Sequence, residues 1–173
     1  MRFLFLLFLL FFNACFGHVD KRGSVTGFRG NTVLTEGGNF QVGALSPDWV
    51  PKKLDFRALV FTHRSLASSI AVDAFCKGAF DDTRLALLTD QLFYSITSQK
   101  RRLQKTIVLD GREAQRTVVE GKLDGASIVV DAVVLKMNEC VFDFTLSSVP
   151  DDYREAVEDF EKFYRGFRYG TGP

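Results

Sequence analysis

Residues 112–147 constrain the fold of this chain more than any other stretch. In its last segment, 140–147, large apolar residues alternate with smaller or polar ones. A period of two is typical of a strand with one buried face. The Asp-Gly pairs at 110–111 and 124–125 are type I′ hairpin signals, because both central residues of such a turn need positive φ. Strands and tight turns therefore follow one another, and this pattern predicts an antiparallel meander.

The N-terminal residues have the features of an export signal. Arg2 precedes ten residues, 3–12, drawn only from Phe and Leu. A membrane-spanning helix needs about 20 apolar residues, so this run fits the hydrophobic core of a secretory signal peptide instead. Residues 12–15, Phe-Asn-Ala-Cys, resemble a bacterial lipobox. We therefore expect cleavage after residue 14 and a lipid anchor on Cys15, which places the protein in the bacterial cell envelope, facing the periplasm.

Two alternatives to lipidation remain open at this point, namely ordinary cleavage near Gly17 and a retained N-terminal anchor. In the lipoprotein interpretation, loss of residues 1–14 leaves 159 residues with 21 basic and 21 acidic side chains. This length suits one domain. Since a nucleic-acid-binding protein normally carries a basic surplus, the neutral balance argues against nucleic acid as a partner.

The mature chain divides into three parts by composition. Residues 15–38 are rich in Gly and lack a sustained apolar period, so we expect a flexible, lipid-anchored tether. The folded domain is predicted over residues 39–168, and residues 169–173 form a tail. An alternative for the tether is a segment that becomes ordered against a partner.

Strands and two amphipathic helices are predicted within the domain. Strands are expected over 56–63 and 69–76, after a turn around Trp49, the one Trp of the chain. Leu residues spaced by three and four predict a helix over about 83–98, with the cations at 100–105 at its C-terminus. An alternative role for these cations is binding to anionic lipid.

The second predicted helix begins near Asp152, with a capping-box spacing, and ends at Gly166 as a C′ residue. We expect its carboxylates to face solvent. The predicted fold class is therefore α+β: an antiparallel sheet, with the meander at its centre, covered by two amphipathic helices in an α/β/α sandwich. The carboxylates are Glu155, Glu158, Asp159 and Glu161.

Cys76 and Cys140 are the two cysteines left after lipidation of Cys15. Each lies at one end of a predicted strand, on its apolar face. Because an exported protein resides in an oxidising compartment, we expect a disulfide between them. The alternative is a pair of buried free thiols, since Cys also packs as a small hydrophobe.

No catalytic or metal-binding motif appears in the sequence. A Gly-x-Ser-x-Gly elbow, a phosphate-binding Gly loop and a Cys-x-x-Cys pair are all missing. His63 is the candidate base for a small hydrolase or isomerase, with Asp73 or Asp131 orienting it. A lone His at a strand end is more often structural, so we expect no enzyme activity, no metal and no cofactor.

Several short motifs together resemble the PsbP-like fold over residues 39–168, and more specifically a set of bacterial envelope lipoproteins within that fold. The resemblance implies an antiparallel sheet between helices that serves as a non-enzymatic binding or assembly module. PsbP is an extrinsic photosystem II subunit, and none of its metal-binding residues is carried over, because this chain contains only His18 and His63. The motifs are Pro47-x-Trp49, the strand ending at Cys76, the Leu-rich helix, Gly111-Arg112-Glu113-Ala114, Gly121-x-Leu123-Asp124-Gly125, Cys140-Val141-Phe142-Asp143-Phe144 and Gly166-Phe167.

The sequence thus favours a cell-envelope lipoprotein that binds an envelope protein partner at a membrane surface. One alternative is the His63 enzyme. The other is a carrier that holds a lipid or another apolar ligand between sheet and helix, in a cavity lined by Phe142 and Phe144.

Overall fold

The computed structural model describes residues 25–36, 38–53, 58–76 and 83–170. It is built from antiparallel strands and two helices, which confirms the predicted α+β class. The predicted signal peptide, Cys15 and residues 171–173 lie outside the described residues. Within the described part, neither helix is long and apolar enough to cross a membrane. The elements are β1 (Val25–Arg29), β2 (Thr32–Thr35), β3 (Phe40–Gln41), β4 (Trp49–Lys53), β5 (Leu59–His63), β6 (Ser68–Cys76), α1 (Leu85–Gln91), β7 (Thr97–Leu109), β8 (Arg112–Leu123), β9 (Ala126–Met137), β10 (Cys140–Ser148), α2 (Tyr153–Arg165) and β11 (Arg168–Tyr169).

The larger sheet has seven strands in the order β4-β5-β6-β10-β9-β8-β7, and all its pairs are antiparallel. Strands β7 to β10 form the predicted meander. Both residues of each Asp-Gly turn have positive φ, 47° and 75° at 110–111 and 50° and 85° at 124–125. These values agree with the hairpin turns that the sequence predicted.

A second sheet, in the order β1-β2-β3-β11, corrects the tether prediction. Residues 25–35 form a β-hairpin, so the flexible tether predicted over 15–38 does not extend through them. Val33 of this hairpin is fully buried, and the Phe28 ring packs edge-on against Phe61 at 5.3 Å. Strands of four and five residues are too short to show a sustained apolar period, which explains why the sequence pattern missed them.

The two helices contact opposite faces of the larger sheet. Phe142 and Phe144 on β10 pack in one cluster with Phe160 and Phe163 of α2. The preceding residue, Val141, packs instead with Leu88 of α1 and Val134. Successive side chains of a strand point to opposite faces, so β10 lies between the helices.

Helix α1 is shorter than predicted, and this changes the position of the basic segment. The helix ends at Gln91, and residues 100–105 lie in β7, so they are not at a helix C-terminus. Phe93 and Ile96 leave the helical path to fill a cluster with Val119 and Val130. The Gln99 side-chain amide donates to the carbonyls of Phe93 and Ile96, at 2.8 and 2.9 Å, which stabilises this turn.

Helix α2 matches its predicted position, but its ends differ from the expected caps. The Asp152 side chain makes no cap hydrogen bond, and its Oδ2 accepts from the Ala67 amide at 2.7 Å instead. Gly166 has φ −76°, so it is not a left-handed C′ residue. Its lack of a side chain is required because a Cβ there would lie 2.2 Å from the amide nitrogen of Gly43.

Candidate functional site

Cys76 and Cys140 form a disulfide across the central pair of strands. The two residues are direct register partners on β6 and β10, with their Cα atoms 3.9 Å apart. Cys140 is 5% exposed and belongs to the main core cluster. The predicted pairing is therefore present, and the bond joins strands that are 64 residues apart in the sequence.

His63 ends β5, and its Nδ1 stabilises the turn that follows. The Ser65 and Leu66 amides donate to Nδ1 at 3.2 and 3.0 Å. The imidazole ring also packs edge-on against Trp49, with ring centroids 5.0 Å apart. Trp49 is buried as expected, although it lies in β4 and not in a turn. These contacts give His63 a structural role in joining β4, β5 and the next turn.

Asp131, one predicted orienter of His63, instead belongs to a buried ionic cluster beneath α2. Arg116 donates to its two carboxylate oxygens, from Nε at 3.0 Å and from Nη2 at 2.6 Å. The Tyr153 hydroxyl donates to Oδ2 at 2.9 Å. Asp131 is 0% exposed and Arg116 4%. The described hydrogen bonds of Asp131 therefore tie β8, β9 and α2 together, and none of them involves His63.

The Arg116 guanidinium also binds helix α2 directly. Its Nη1 donates to Glu161 Oε1 at 2.6 Å and to the Tyr164 hydroxyl at 3.0 Å. Burial alone would lower the pKa of Arg116, but the bonds to Asp131 and Glu161 raise it above its ordinary value. Burial and the neighbouring Asp131 raise the pKa of Tyr153. The Arg116 guanidinium is thus a fixed cation with two carboxylate partners, and it keeps its charge at all ordinary pH values.

The sequence contains a signal for this cluster, namely two opposite charges on otherwise apolar strand faces. Ala114, Arg116 and Val118 occupy alternate positions of β8, so Arg116 lies on an apolar face. Asp131 interrupts a Val-rich run in the same way. A buried charge is normally paired, and two opposite charges on apolar strand faces therefore predict a pair.

The carboxylates of α2 were expected to face solvent, and two of them instead fasten the helix to the domain. Asp159 Oδ2 accepts from the Ser46 hydroxyl at 2.9 Å and from the Trp49 indole at 3.0 Å. Glu161 binds Arg116, as described above. Although burial opposes it, hydrogen bonds from Lys162, Ser46 and Trp49 lower the pKa of Asp159. Only Glu155 and Glu158 agree with the predicted solvated face.

Asp73, the other predicted orienter, lies opposite Asp143 on the face of the larger sheet that α1 contacts. The two residues are register partners on β6 and β10. Burial, and then the Asp73 charge, raise the pKa of Asp143 to about 7. Among the described residues, no group of three or more His, Cys, Asp or Glu side chains is arranged to hold a metal. Within the described part of the chain, no third such side chain joins Asp73 and Asp143 in a group that could hold a metal.

Phe142 and Phe144, the predicted cavity lining, lie within a packed aromatic core. The Phe142 ring contacts Phe40 and Phe167 at 5.1 and 5.0 Å between centroids. Phe144 contacts Phe163 and Phe167, at 6.1 and 5.7 Å. At most 1% of either side chain is exposed. Other aromatic rings occupy the space beside them, which does not support the predicted ligand cavity.

An open groove of about 540 Å³ lies where the ends of β6 and β10 meet the β8–β9 turn. Small hydroxyls and apolar groups line it, and its rim includes Leu123 and Val149, each 37% exposed. Such a lining suits contact with a partner surface better than acid–base chemistry, because no ionisable side chain contributes to it. Its serines are Ser68, Ser69, Ser127, Ser147 and Ser148.

The class of protein that these features define is a disulfide-linked, mainly antiparallel α+β domain with a PsbP-like fold. Cyanobacterial PsbP (CyanoP) from Synechocystis matches with TM-score 0.52 and 11% identity, over 90% of this chain and 97% of that one. LpqN, described as involved in cell envelope biogenesis of Mycobacterium tuberculosis, matches with TM-score 0.60 and 10% identity, over 77% and 85%. A Mog1 variant matches with TM-score 0.56 and 12% identity, over 83% and 97%. No protein-family model and no curated protein matches the sequence. At these identities the likeness concerns the fold, and the predicted PsbP-like fold is confirmed.

Proposed function

We propose that this chain is a non-enzymatic cell-envelope lipoprotein, anchored through Cys15, that acts as a binding or assembly module at a membrane surface. In this proposal the two helices are the outer layers of an α/β/α sandwich, and the domain presents its surface to an envelope protein partner. The segment between Cys15 and β1, residues 16–24, supplies the reach.

The disulfide between Cys76 and Cys140 is the observation that carries the proposal. Disulfides form and persist in oxidising compartments, and they are rare in reduced ones. The bond joins two strands at the centre of the larger sheet, and both cysteines pack in the main core cluster. The disulfide is therefore a part of the folded core. This placement fits an extracellular or periplasmic location, in agreement with the export signal that we expect at residues 1–14.

The structural neighbours support an envelope role for the proposed module. LpqN is described as involved in cell envelope biogenesis, and PsbP-like domains share this architecture. We extend the envelope association to this chain as a proposal, because the fold likeness by itself is compatible with other roles.

The hydrogen bonds that His63 and Asp131 already make favour a binding role over the His63 hydrolase or isomerase. The ring nitrogen of His63 that accepts the Ser65 and Leu66 amides is already occupied by the turn. Asp131 is held by Arg116 and Tyr153. A base needs a free nitrogen and an orienting partner in reach, and this arrangement leaves the His63 mechanism without its proposed Asp131 partner. A lipid-carrier role would require Phe142 and Phe144 to move away from the aromatic rings packed against them, because those rings occupy the space of the predicted cavity.

In-cell photo-crosslinking tests the proposal. A benzoylphenylalanine would replace Ser127 in the groove or Val108 on the exposed edge strand β7, with Glu158 on α2 as the matched exposed control. We expect a discrete product with an envelope protein from Ser127 or Val108, and the same product when His63→Ala is added. If the His63→Ala protein folds normally but loses the product, or if neither position captures a protein, the binding-module proposal is wrong.

A further inference from the structure

Strand β7 is a long, uncovered edge of the larger sheet. It lies last in the strand order, and in the described part of the chain its backbone pairs with β8 alone. All its residues are exposed except Leu103, Ile107 and Leu109. The opposite edge, β4, has five residues and contains Pro51, which lacks the amide donor that strand pairing needs. The β7 edge is therefore the better place for a further strand to pair.

Residues 103–109 are the regular part of this edge. Their register with β8 runs without a shift from Leu103, opposite Val118, to Leu109, opposite Arg112. The register shifts twice on the N-terminal side of Leu103. Such irregularities protect an edge, because they interrupt the straight row of backbone groups that a partner strand needs. A partner strand therefore finds its regular positions between residues 103 and 109.

The backbone groups of alternate residues in this stretch point away from β8. The Asp-Gly turn joins β7 to β8 directly, so Leu109 and Arg112 close the turn as a hydrogen-bonded pair. In an antiparallel ladder such pairs alternate with pairs whose N–H and C=O groups point outward. The Gln115 side-chain amide of β8 donates to the Lys105 carbonyl at 3.0 Å, so that carbonyl faces β8, as this alternation requires. The outward-facing groups belong to Gln104, Thr106 and Val108.

Val108 is an apolar contact point beside these outward-facing groups. It is 68% exposed, the largest exposed fraction of any described Leu, Ile or Val side chain. A β-branched side chain on a strand gains stability when a cross-strand neighbour packs against it. Since β7 is the last strand of the sheet, Val108 has such a neighbour on one side only, and an added strand would supply the other.

Lys105 is the exposed cation of the regular stretch. Its ammonium group makes no ion pair within the described residues. The acid on the nearby helix, Glu161, pairs with Arg116 and Arg165 instead, at 2.6 and 3.6 Å. Lys105 lies opposite Arg116 in the register, on the face that α2 contacts, and Val108 lies on the other face. An added strand therefore meets a positive charge on one face and an apolar side chain on the other.

We propose that β7 binds an extended segment of the envelope protein partner as an added strand, and that this segment carries an apolar residue and a carboxylate three positions apart. Its backbone pairs with the outward-facing groups of β7. Because Val108 and Lys105 are three positions apart, the residues opposite them in an added strand are also three apart and lie on opposite faces. The inference rests on the proposed binding role and names the chemistry of the partner.

A second copy of this chain fits the edge less well than an acidic segment does. Antiparallel self-pairing centred on Lys105 places two ammonium groups directly opposite each other, which destabilises a sheet. Self-pairing centred on Thr106 places Lys105 opposite Ile107, so the cation gains no carboxylate partner. A lysine on an edge strand discourages unselective pairing, and the same charge favours a segment that carries an acid.

Selection from a random peptide display library, with the purified full chain as bait, tests the chemistry of the partner. We expect the enriched peptides to share an acidic and an apolar residue three positions apart. The Lys105→Glu variant should enrich basic residues in place of the acidic ones. The Lys122→Glu variant changes an exposed lysine outside the regular stretch, so it should keep the acidic preference. No enrichment, or enrichment without the acid, would overturn the inference.

Hydrogen exchange of single amides, followed by NMR, tests the strand pairing. In the free chain the amides of Gln104, Thr106 and Val108 should exchange at least about tenfold faster than those of Lys105 and Ile107, which donate to β8. A saturating selected peptide should slow the three outward amides to about the rate of their neighbours. Protection confined to another part of the domain would contradict pairing at β7.

N-methylated versions of the selected peptide give a second test of pairing that needs no variant of the protein. Alternate amides of an added strand face β7, and the others face solvent. Methylation of one alternate set should therefore weaken binding roughly tenfold or more, and methylation of the other set should leave it unchanged. An equal effect of the two sets would overturn the inference.

These measurements are separable from the test of the proposed function. They involve neither the anchor nor the envelope, so an unlipidated chain leaves their result unchanged. An envelope crosslink from Ser127 without peptide binding at β7 would agree with the proposed function and overturn this inference. Slow exchange of the outward amides in the free chain, which becomes fast on dilution, would show that a second copy occupies the edge and would also overturn it.

Discussion

Asp73 and Asp143 lie directly opposite each other on the adjacent antiparallel strands β6 and β10. Like charges at such positions destabilise a sheet, so the pair is stable when one carboxyl keeps its proton. Burial and the neighbouring Asp73 raise the pKa of Asp143 to about 7. Nearby on the same face is Lys136 of β9, the partner of Val141.

The first prediction is that the free energy of unfolding falls as the pH rises from 5 to 8. In this range native Asp143 still holds a proton that the unfolded chain has released, so the native state binds more protons and loses stability with rising pH. We expect a loss on the order of 2 kcal/mol in urea titrations. Asp143→Asn should remove most of this dependence, while Asp151→Asn, an exposed control, should keep it. An unchanged pH profile in Asp143→Asn would show that another group is responsible.

The second prediction concerns Arg116 and Asp131. Arg116→Leu should lower the free energy of unfolding by roughly 3–5 kcal/mol, because it leaves the Asp131 carboxylate buried without a cation. The double variant with Asp131→Leu should recover much of this loss, since a well-packed apolar pair often replaces a buried ion pair. Arg102→Leu, which removes an exposed pair with Glu120, is the control and should cost under about 1 kcal/mol. A single variant as stable as the wild type would mean that the cluster contributes nothing.

The third prediction is that the denatured, unreduced protein contains no free thiol at Cys76 or Cys140. Thiol titration before and after reduction measures this directly. In the chain-entropy model, a bond that closes a loop of 64 residues stabilises the fold by roughly 4 kcal/mol, so Cys140→Ser should lower the urea midpoint substantially. Two reactive thiols before reduction would contradict the disulfide.

The fourth prediction separates the tether from the hairpin. Deletion of residues 18–24 should leave the thermal unfolding midpoint within a few degrees of the wild type. Deletion of residues 25–35 should lower it strongly, because it removes buried Val33 and the contact of Phe28 with Phe61. Equal midpoints for the two deletions would show that the hairpin adds no stability.

The elements that the sequence predicted well are those with long, regular patterns. The meander follows from the alternation in β10 and from two Asp-Gly turns, and α2 follows from its apolar stripe, of which Phe160 and Tyr164 are fully buried. The fold class and the disulfide pairing depended on these elements. Periodicity therefore identified the long strands and the second helix reliably.

The mispredicted parts of the chain form short strands or helices, or make contacts with residues that are distant in the sequence. The β1–β2 hairpin is too short for a period, and α1 was overextended because Phe93 and Ile96 keep an apolar spacing after the helix has ended. The Arg116 cluster joins residues from β8, β9 and α2 that are up to 48 positions apart, so no local pattern identifies it as a site. Tertiary packing overrode local propensity at each of these places.

Lipidation at Cys15 is the central claim of the proposed function, and metabolic labelling with a clickable fatty acid tests it most directly. The account predicts that the wild-type chain takes up the label and fractionates with membranes. The Cys15→Ala variant should be unlabelled. The double variant Cys76→Ala/Cys140→Ala is the control, and it should keep the label provided that the cells produce the protein. An unlabelled wild-type protein, or equal release of wild type and Cys15→Ala into the periplasmic fraction, would contradict the lipoprotein.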